Sequence, residues 1–152
     1  MPNYNFDEDL PIAKVTEREV ANILETTFNA TILGYGNTNT WDIHARMSNG
    51  GERFFEVKED FSCEKTGNVG LEFECRGKPS GIAVSKADYY IYKIHTKYWS
   101  IRYLLHSTQA LKNMIEHRLY FRIVNGGDKG SNTMNYLFKY EIFVQHGFYL
   151  IP

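Results

Sequence analysis

The chain has little of what covalent or membrane architectures need. It has only two cysteines among its 152 residues, Cys63 and Cys75. They form neither a metal-ligand spacing nor a disulfide framework, which excludes a zinc ribbon and a disulfide-stapled secreted scaffold. Prolines number four, and no Pro- or Ser-rich tract interrupts the sequence. Residues 1–152 are therefore expected to form a single domain. No run approaches the roughly 18 apolar residues of a membrane span. Met1–Asp9 is acidic and carries neither the basic nor the apolar region of a secretory leader. A cytoplasmic protein with no membrane partner is expected. The five histidines make no i, i+4 pair and no H-E-x-x-H, so zinc is not expected. The G-G-D-K-G run at 126–130 lacks the lysine–hydroxyl pair of a phosphate-binding loop, and no organic cofactor is expected.

Aromatic residues, by contrast, are abundant at 15%. Charge is unevenly placed behind a net of −1: residues 1–75 hold 14 Asp/Glu against 6 Lys/Arg, and residues 76–122 hold 2 against 9. This pattern fits an acidic centre beside a polyanion-binding surface, or two halves that neutralise each other.

Hydrophobic periodicity gives the elements. Val20, Ile23, Leu24, Thr27 and Phe28 recur on one face of a 3.6-residue repeat, predicting a helix over about 17–29. Thr16 and Glu19 fit a capping box at its start. Residues 34–39 read as loop. Trp41, Ile43, Ala45 and Met47 alternate with Asp42, His44 and Arg46 as a half-buried strand. The Ser48-Asn49-Gly50-Gly51 turn and a second strand over 52–58 complete a hairpin. A third strand is expected at 69–75, meandering on from the hairpin. Further strands follow at 87–95 and 98–104. Ser107 caps a helix through Leu111, Met114 and Ile115, residues 119–124 are extended, and 134–151 is open between helix and strand. The order implies an α/β or α+β fold around a mixed sheet.

The hairpin carries the chemistry. Glu56 and Lys58, two apart, share one strand face, and Asp42 on the partner strand also points away from its apolar neighbours. Crowded carboxylates resist ionisation. A hard divalent cation relieves that conflict, and the Val57 carbonyl is a further oxygen ligand. Lys58 is then placed to stabilise charge on a phosphate. The same pattern also fits a solvated strand face with a cross-strand ion pair.

The runs W-D-I-H-A-R-M, F-F-E-V-K-E-D, T-G-N-V-G-L-E-F-E and K-P-S-G-I-A-V-S-K-A-D-Y-Y-I-Y, within residues 12–95, resemble the PD-(D/E)XK nuclease superfamily, especially its small phage-type or resolvase-like members. The resemblance implies a restriction-endonuclease-like αβββαβ core: a mixed central sheet flanked by helices. It implies a Mg²⁺- or Mn²⁺-dependent endonuclease that hydrolyses DNA, branched recombination intermediates included. Asp42 and Glu56 are then the metal ligands, with Val57 contributing its carbonyl, and Lys58 is the catalytic lysine. Trp41 stands where the family often has proline. The long crossover helix before the fourth core strand is poorly marked, with at most one turn over 80–86.

Glu19 is a further catalytic candidate on the first helix, with Glu17 as its rival; the capping box explains Glu19 equally well. Glu72 is expected to face Glu56 across the sheet and extend the acidic cluster, ahead of Glu74. Arg76, Lys78, Ser80, Ser85 and Lys86 make a phosphate handle, with Ser85 capping a helical turn. Tyr89, Tyr90, Tyr92 and Tyr98 fit either base stacking or core packing. A non-catalytic nucleic-acid-binding module of the same fold is the alternative function, and a protein-interaction role ranks below it. The expected partner is DNA. A homodimer would suit action on two strands, with the tail Tyr136–Tyr149 as interface or as core strand.

Overall fold

A computed structural model describes residues 6–36, 40–126 and 132–152, with side chains placed from Ile12 onward. Helix α1 (Phe6–Phe28) opens the chain, followed by β1 (Thr31–Tyr35), β2 (Ile43–Arg46) and β3 (Glu52–Asp60). The short α2 (Cys63–Thr66), β4 (Asn68–Cys75), β5 (Lys78–Pro79) and one 3₁₀ turn (Gly81–Ala83) lead to β6 (Tyr89–His95) and β7 (Ile101–Ser107). Then come α3 (Thr108–Glu116), β8 (Arg122–Gly126), β9 (Thr133–Lys139), α4 (Tyr140–Gln145) and β10 (Phe148–Tyr149). The result is a mixed α/β fold. No described helix is long and apolar enough to cross a membrane.

Six strands form the main sheet in the order β1-β2-β3-β6-β7-β10. It is antiparallel except at its centre, where β3 runs parallel to β6 with Glu56 opposite Tyr90 and Lys58 opposite Tyr92. The expected hairpin forms as β2–β3, with Ile43 opposite Phe55. Its turn closes because Gly50 takes a φ of 89° that favours glycine. There Met47 N–H donates to Gly51 O at 2.8 Å, and Asn49 Oδ1 accepts from Gly51 N–H at 2.8 Å.

Three expectations are corrected. Helix α1 begins at Phe6, so Thr16 lies inside it and not at its cap; the Thr16 hydroxyl instead donates to Glu59 Oε1 at 2.6 Å. A strand, β1, takes in Gly34 and Tyr35, the first two residues of the segment read as loop, and its register slips between Ile32 and Gly34, which hides its alternation. The third strand does not continue the meander. β4 leaves the main sheet and builds a second one, ordered β5-β4-β9-β8. Alternation identified β4 as a strand but carried no information about its partner, β9, which lies far along the chain.

The segment 134–151 holds strand, helix and strand in turn. Ser107 caps α3 as expected, its side chain accepting from Ala110 N–H at 3.0 Å.

Each face of the main sheet has its own core. Val20, Ala21 and Leu24 of α1 pack on Ile43, Ala45, Phe55 and Ile91. On the opposite face Tyr90, Tyr92, Ile94 and Leu104 meet Val69, Leu71 and Phe138 of the second sheet, with Leu111, Met114 and Phe143. Each fully buried aliphatic side chain contributes roughly 1.5–3 kcal/mol. The long β3-to-β6 crossover therefore builds a packed layer: its α2, β4, β5 and 3₁₀ turn stand where the resemblance implied a long helix. The one helical turn there agrees with the weak signal at 80–86.

Candidate active site

Asp42 sits just before β2, held by its backbone N–H donating to Phe55 O at 2.8 Å. Its Oδ2 accepts the Val57 N–H at 2.7 Å, which aims the carboxylate along β3. Burial raises the Asp42 pKa, against the lowering effects of the Val57 N–H and Lys58. Glu56 follows on the same side. Its residue surface is 6% exposed. Lys58 Nζ lies 3.3 Å from its Oε1, while Oε2 is buried with no hydrogen-bond partner. Burial, reinforced by the Asp42 charge and opposed by Lys58, pushes the Glu56 carboxyl up to about 7.

Glu17 completes the cluster from α1. Its carboxyl is raised by burial and then by the nearby Asp42 charge. The structure thus brings together Asp42, Glu56 and Lys58 as expected, and adds Glu17 where Glu19 was favoured. Glu19 lies on the other face of the sheet. Its Oε2 accepts from Lys93 Nζ and from Tyr103 Oη, each at 2.8 Å. Burial alone would raise its pKa, but these two hydrogen bonds leave it lowered. The local capping pattern masked this, because both Thr16 and Glu19 find partners distant in sequence.

Glu72 does not face Glu56 across a shared sheet. It lies on β4 opposite Asn135 of β9. It does meet Lys58 in the lining of a cleft of about 650 Å³ between β3 and the second sheet. Arg76 and Gly77, both at positive φ (53° and 76°), make the two-residue turn between β4 and β5. Arg76 and Lys78 are thereby exposed at a hairpin tip, and Lys86 is exposed before β6. Ser85 caps no helix. Its hydroxyl donates to Thr40 O at 3.4 Å and accepts from Ala87 N–H at 3.2 Å. Ser80 Oγ and the Tyr90 hydroxyl are buried without hydrogen-bond partners, as Glu56 Oε2 is. Burial holds the Tyr90 hydroxyl well above its usual range, with Ser85 opposing and Glu56, Asp42 and Glu72 adding.

The remaining candidates have structural partners. His44 stacks on Phe54 and meets Glu52 Oε1 at 2.8 Å. Asp88 Oδ2 accepts the Phe54 N–H at 2.8 Å. Tyr90 and Tyr92 are core residues, whereas Tyr98 is exposed.

Among the described residues, no three His, Cys, Asp or Glu side chains already converge as a closed metal site. Mg²⁺ does not need one. It binds through one or two carboxylates and completes its shell with water and substrate phosphate. The orphan Glu56 Oε2 and the raised carboxyls of Glu17 and Asp42 are what such a donor set shows without its cation. The hard-oxygen donors fit Mg²⁺ or Mn²⁺. No family model matches the chain, and no curated protein matches it.

Proposed function

We propose that the chain is a divalent-metal-dependent endonuclease that hydrolyses phosphodiester bonds in DNA, built on a restriction-endonuclease-like core. The buried, unpartnered Glu56 Oε2 beside Asp42 and Lys58 carries the reading. Burying a carboxylate oxygen without a partner is costly, and a structural role offers nothing to offset it. The element order supports the same reading: a helix, then β1-β2-β3, then β6 parallel to β3, with Asp42 and the Glu56–Lys58 pair at the centre.

Asp42 and Glu56, with the Val57 carbonyl, would hold Mg²⁺ or Mn²⁺. The ion supplies a Lewis acid for a phosphate oxygen and neutralises the clustered carboxylates. Lys58, about one-third exposed and open to the cleft, sets its ammonium where negative charge grows on the phosphate. Glu17 adds a third carboxyl beside Asp42. Arg76, Lys78 and Lys86 are exposed cations available to flanking phosphates, contributing affinity independent of sequence.

The test is incubation of labelled linear, single-stranded, flapped and four-way DNAs with Mg²⁺ or Mn²⁺. Cutting is expected with metal, none with chelator, and none for Lys58→Ala or Glu56→Gln. Undiminished cutting by those variants overturns the site. Salt-sensitive DNA binding with no cutting in any metal would instead identify a binding module.

A further inference from the structure

We infer that the cleft beside Lys58 receives an unpaired nucleobase, and that Asn135 reads its edge. The inference rests on the nuclease reading for its nucleic-acid substrate, and it deepens that reading by naming the form of strand the site accepts.

The floor of the cleft is the face of the second sheet turned away from the core. On β9, Phe138 packs inward while Thr133, Asn135 and Leu137 line the cleft. On β4, Val69 and Leu71 pack inward while Asn68, Gly70 and Glu72 line it. At the centre the Asn135 amide lies between two glycines on neighbouring strands. A Cβ at Gly70 would sit 3.4 Å from Asn135 Oδ1, and one at Gly126 would sit 3.4 Å from Nδ2. Glycine inside a strand sacrifices packing and backbone entropy, and it recurs where a ligand must come close. Neither glycine is needed here to relieve a clash, since 3.4 Å is ordinary contact. Neither carries a positive φ. Their effect is to leave a flat, open floor around one amide.

That amide makes no hydrogen bond to a described residue, so a donor and an acceptor stand side by side facing the cleft. Side-by-side donor and acceptor match the edge of a base, the pairing by which asparagine reads adenine. Among the described residues the floor carries no cation, so it does not suit phosphate. Asp60 at the rim is already occupied, with Cys63 N–H donating to its Oδ1 at 2.9 Å and Gly70 N–H to its Oδ2 at 3.2 Å. Lys58, at the end shared with the carboxylate cluster, is where the phosphate of the same nucleotide would rest. Asn135 lines a cleft of about 650 Å³, a volume that holds a nucleotide but not a duplex segment. A base must leave its pair and stack to reach it.

The experiment uses isotope-labelled full-length protein in chelator, where nothing is cut, titrated with single-stranded octanucleotides of each base and with one of abasic residues. The expected result is shifts at the Gly70 and Gly126 amides and the Asn135 side-chain NH₂ with the base-bearing strands. The abasic strand should bind at least about fivefold more weakly. Asn135→Ala and Gly70→Val should weaken binding about tenfold and flatten any base preference while thermal stability is kept. Stability should not fall in either variant, because the amide bonds to no described residue and valine suits a strand better than glycine. Equal affinity for abasic and base-bearing strands overturns the inference, as does unchanged binding by both variants. If cutting persists while these results fail, the nuclease reading stands without the base pocket. If base-dependent binding appears and no metal supports cutting, the pocket stands and the nuclease reading falls.

Discussion

Strand β3 presents two glutamates to opposite faces of one sheet, and they have opposite fates. Glu59 faces α1 and is fully engaged: it accepts from the Thr16 hydroxyl at 2.6 Å, meets His95 Nε2 at 2.7 Å and lies 3.8 Å from Lys93 Nζ. Lys93 in turn reaches Glu19, which also accepts from Tyr103. Glu56, three residues earlier, has a single cation at 3.3 Å and one oxygen with no partner. Glu56 is buried and Glu59 partly so, on the same scaffold. One network is closed and the other is open. A closed network stabilises the fold, and the open one is the donor set that the proposed metal would complete.

The sharpest way to break this comparison is through catalysis. Lys58→Ala and Glu56→Gln should lower DNA cleavage by about 10²–10⁴-fold while circular dichroism stays native, whereas Glu59→Gln should leave the rate per folded molecule unchanged. Single-turnover assays at saturating metal would decide.

The next effect is on stability against pH. Glu56 titrates at 4.5 when unfolded and at about 7 when folded. Below 4.5 both states hold the proton. Between 4.5 and 7 the unfolded state ionises first, so stability present at the acid end is lost as pH rises. The loss amounts to about 3 kcal/mol for a shift of this size. Urea midpoints in chelator should fall across that window in the wild type, and Glu56→Gln should flatten the slope. A wild-type slope equal to the variant's would show that Glu56 is not held in this way.

Removing the engaged glutamate should act in the opposite sense. Glu59→Ala leaves Lys93 and His95 short of a partner and should cost about 2–3 kcal/mol by denaturant titration at neutral pH.

The smallest effects separate the two helix glutamates. Glu19→Gln should cost about 1 kcal/mol of stability and spare cleavage, while Glu17→Gln should spare stability and slow cleavage about tenfold. The reverse outcome would return the catalytic role to Glu19.

Why these two were hard to tell apart in the sequence is physical. Thr16 and Glu19 satisfy a local capping rule, but their partners Glu59 and Lys93 come from distant strands, and no local pattern encodes that choice. The hairpin was legible because strict alternation and an Asn-Gly turn fix its register locally. That register alone brings Asp42, Glu56 and Lys58 together. Strand β1 was not legible, because a register slip at Ile32–Gly34 breaks a five-residue signal. Nor was the departure of β4 to a second sheet, and with it went the expected meeting of Glu72 and Glu56. The cleft and the Asn135 floor follow from that departure, since they need β4 and β9 side by side.

The pairing of β4 with β9 also sets a timetable for synthesis. Lys58 sits on β3, whose parallel partner β6 is joined to it by a long crossover. That crossover includes β4, which hydrogen-bonds along most of its length to residues 133–139. On a ribosome the strand bearing the lysine emerges first, yet its surroundings cannot be completed until residues 133–139 have left the exit tunnel. A nascent chain stalled before β9 would therefore carry every candidate catalytic residue without the cleft that Lys58 opens into.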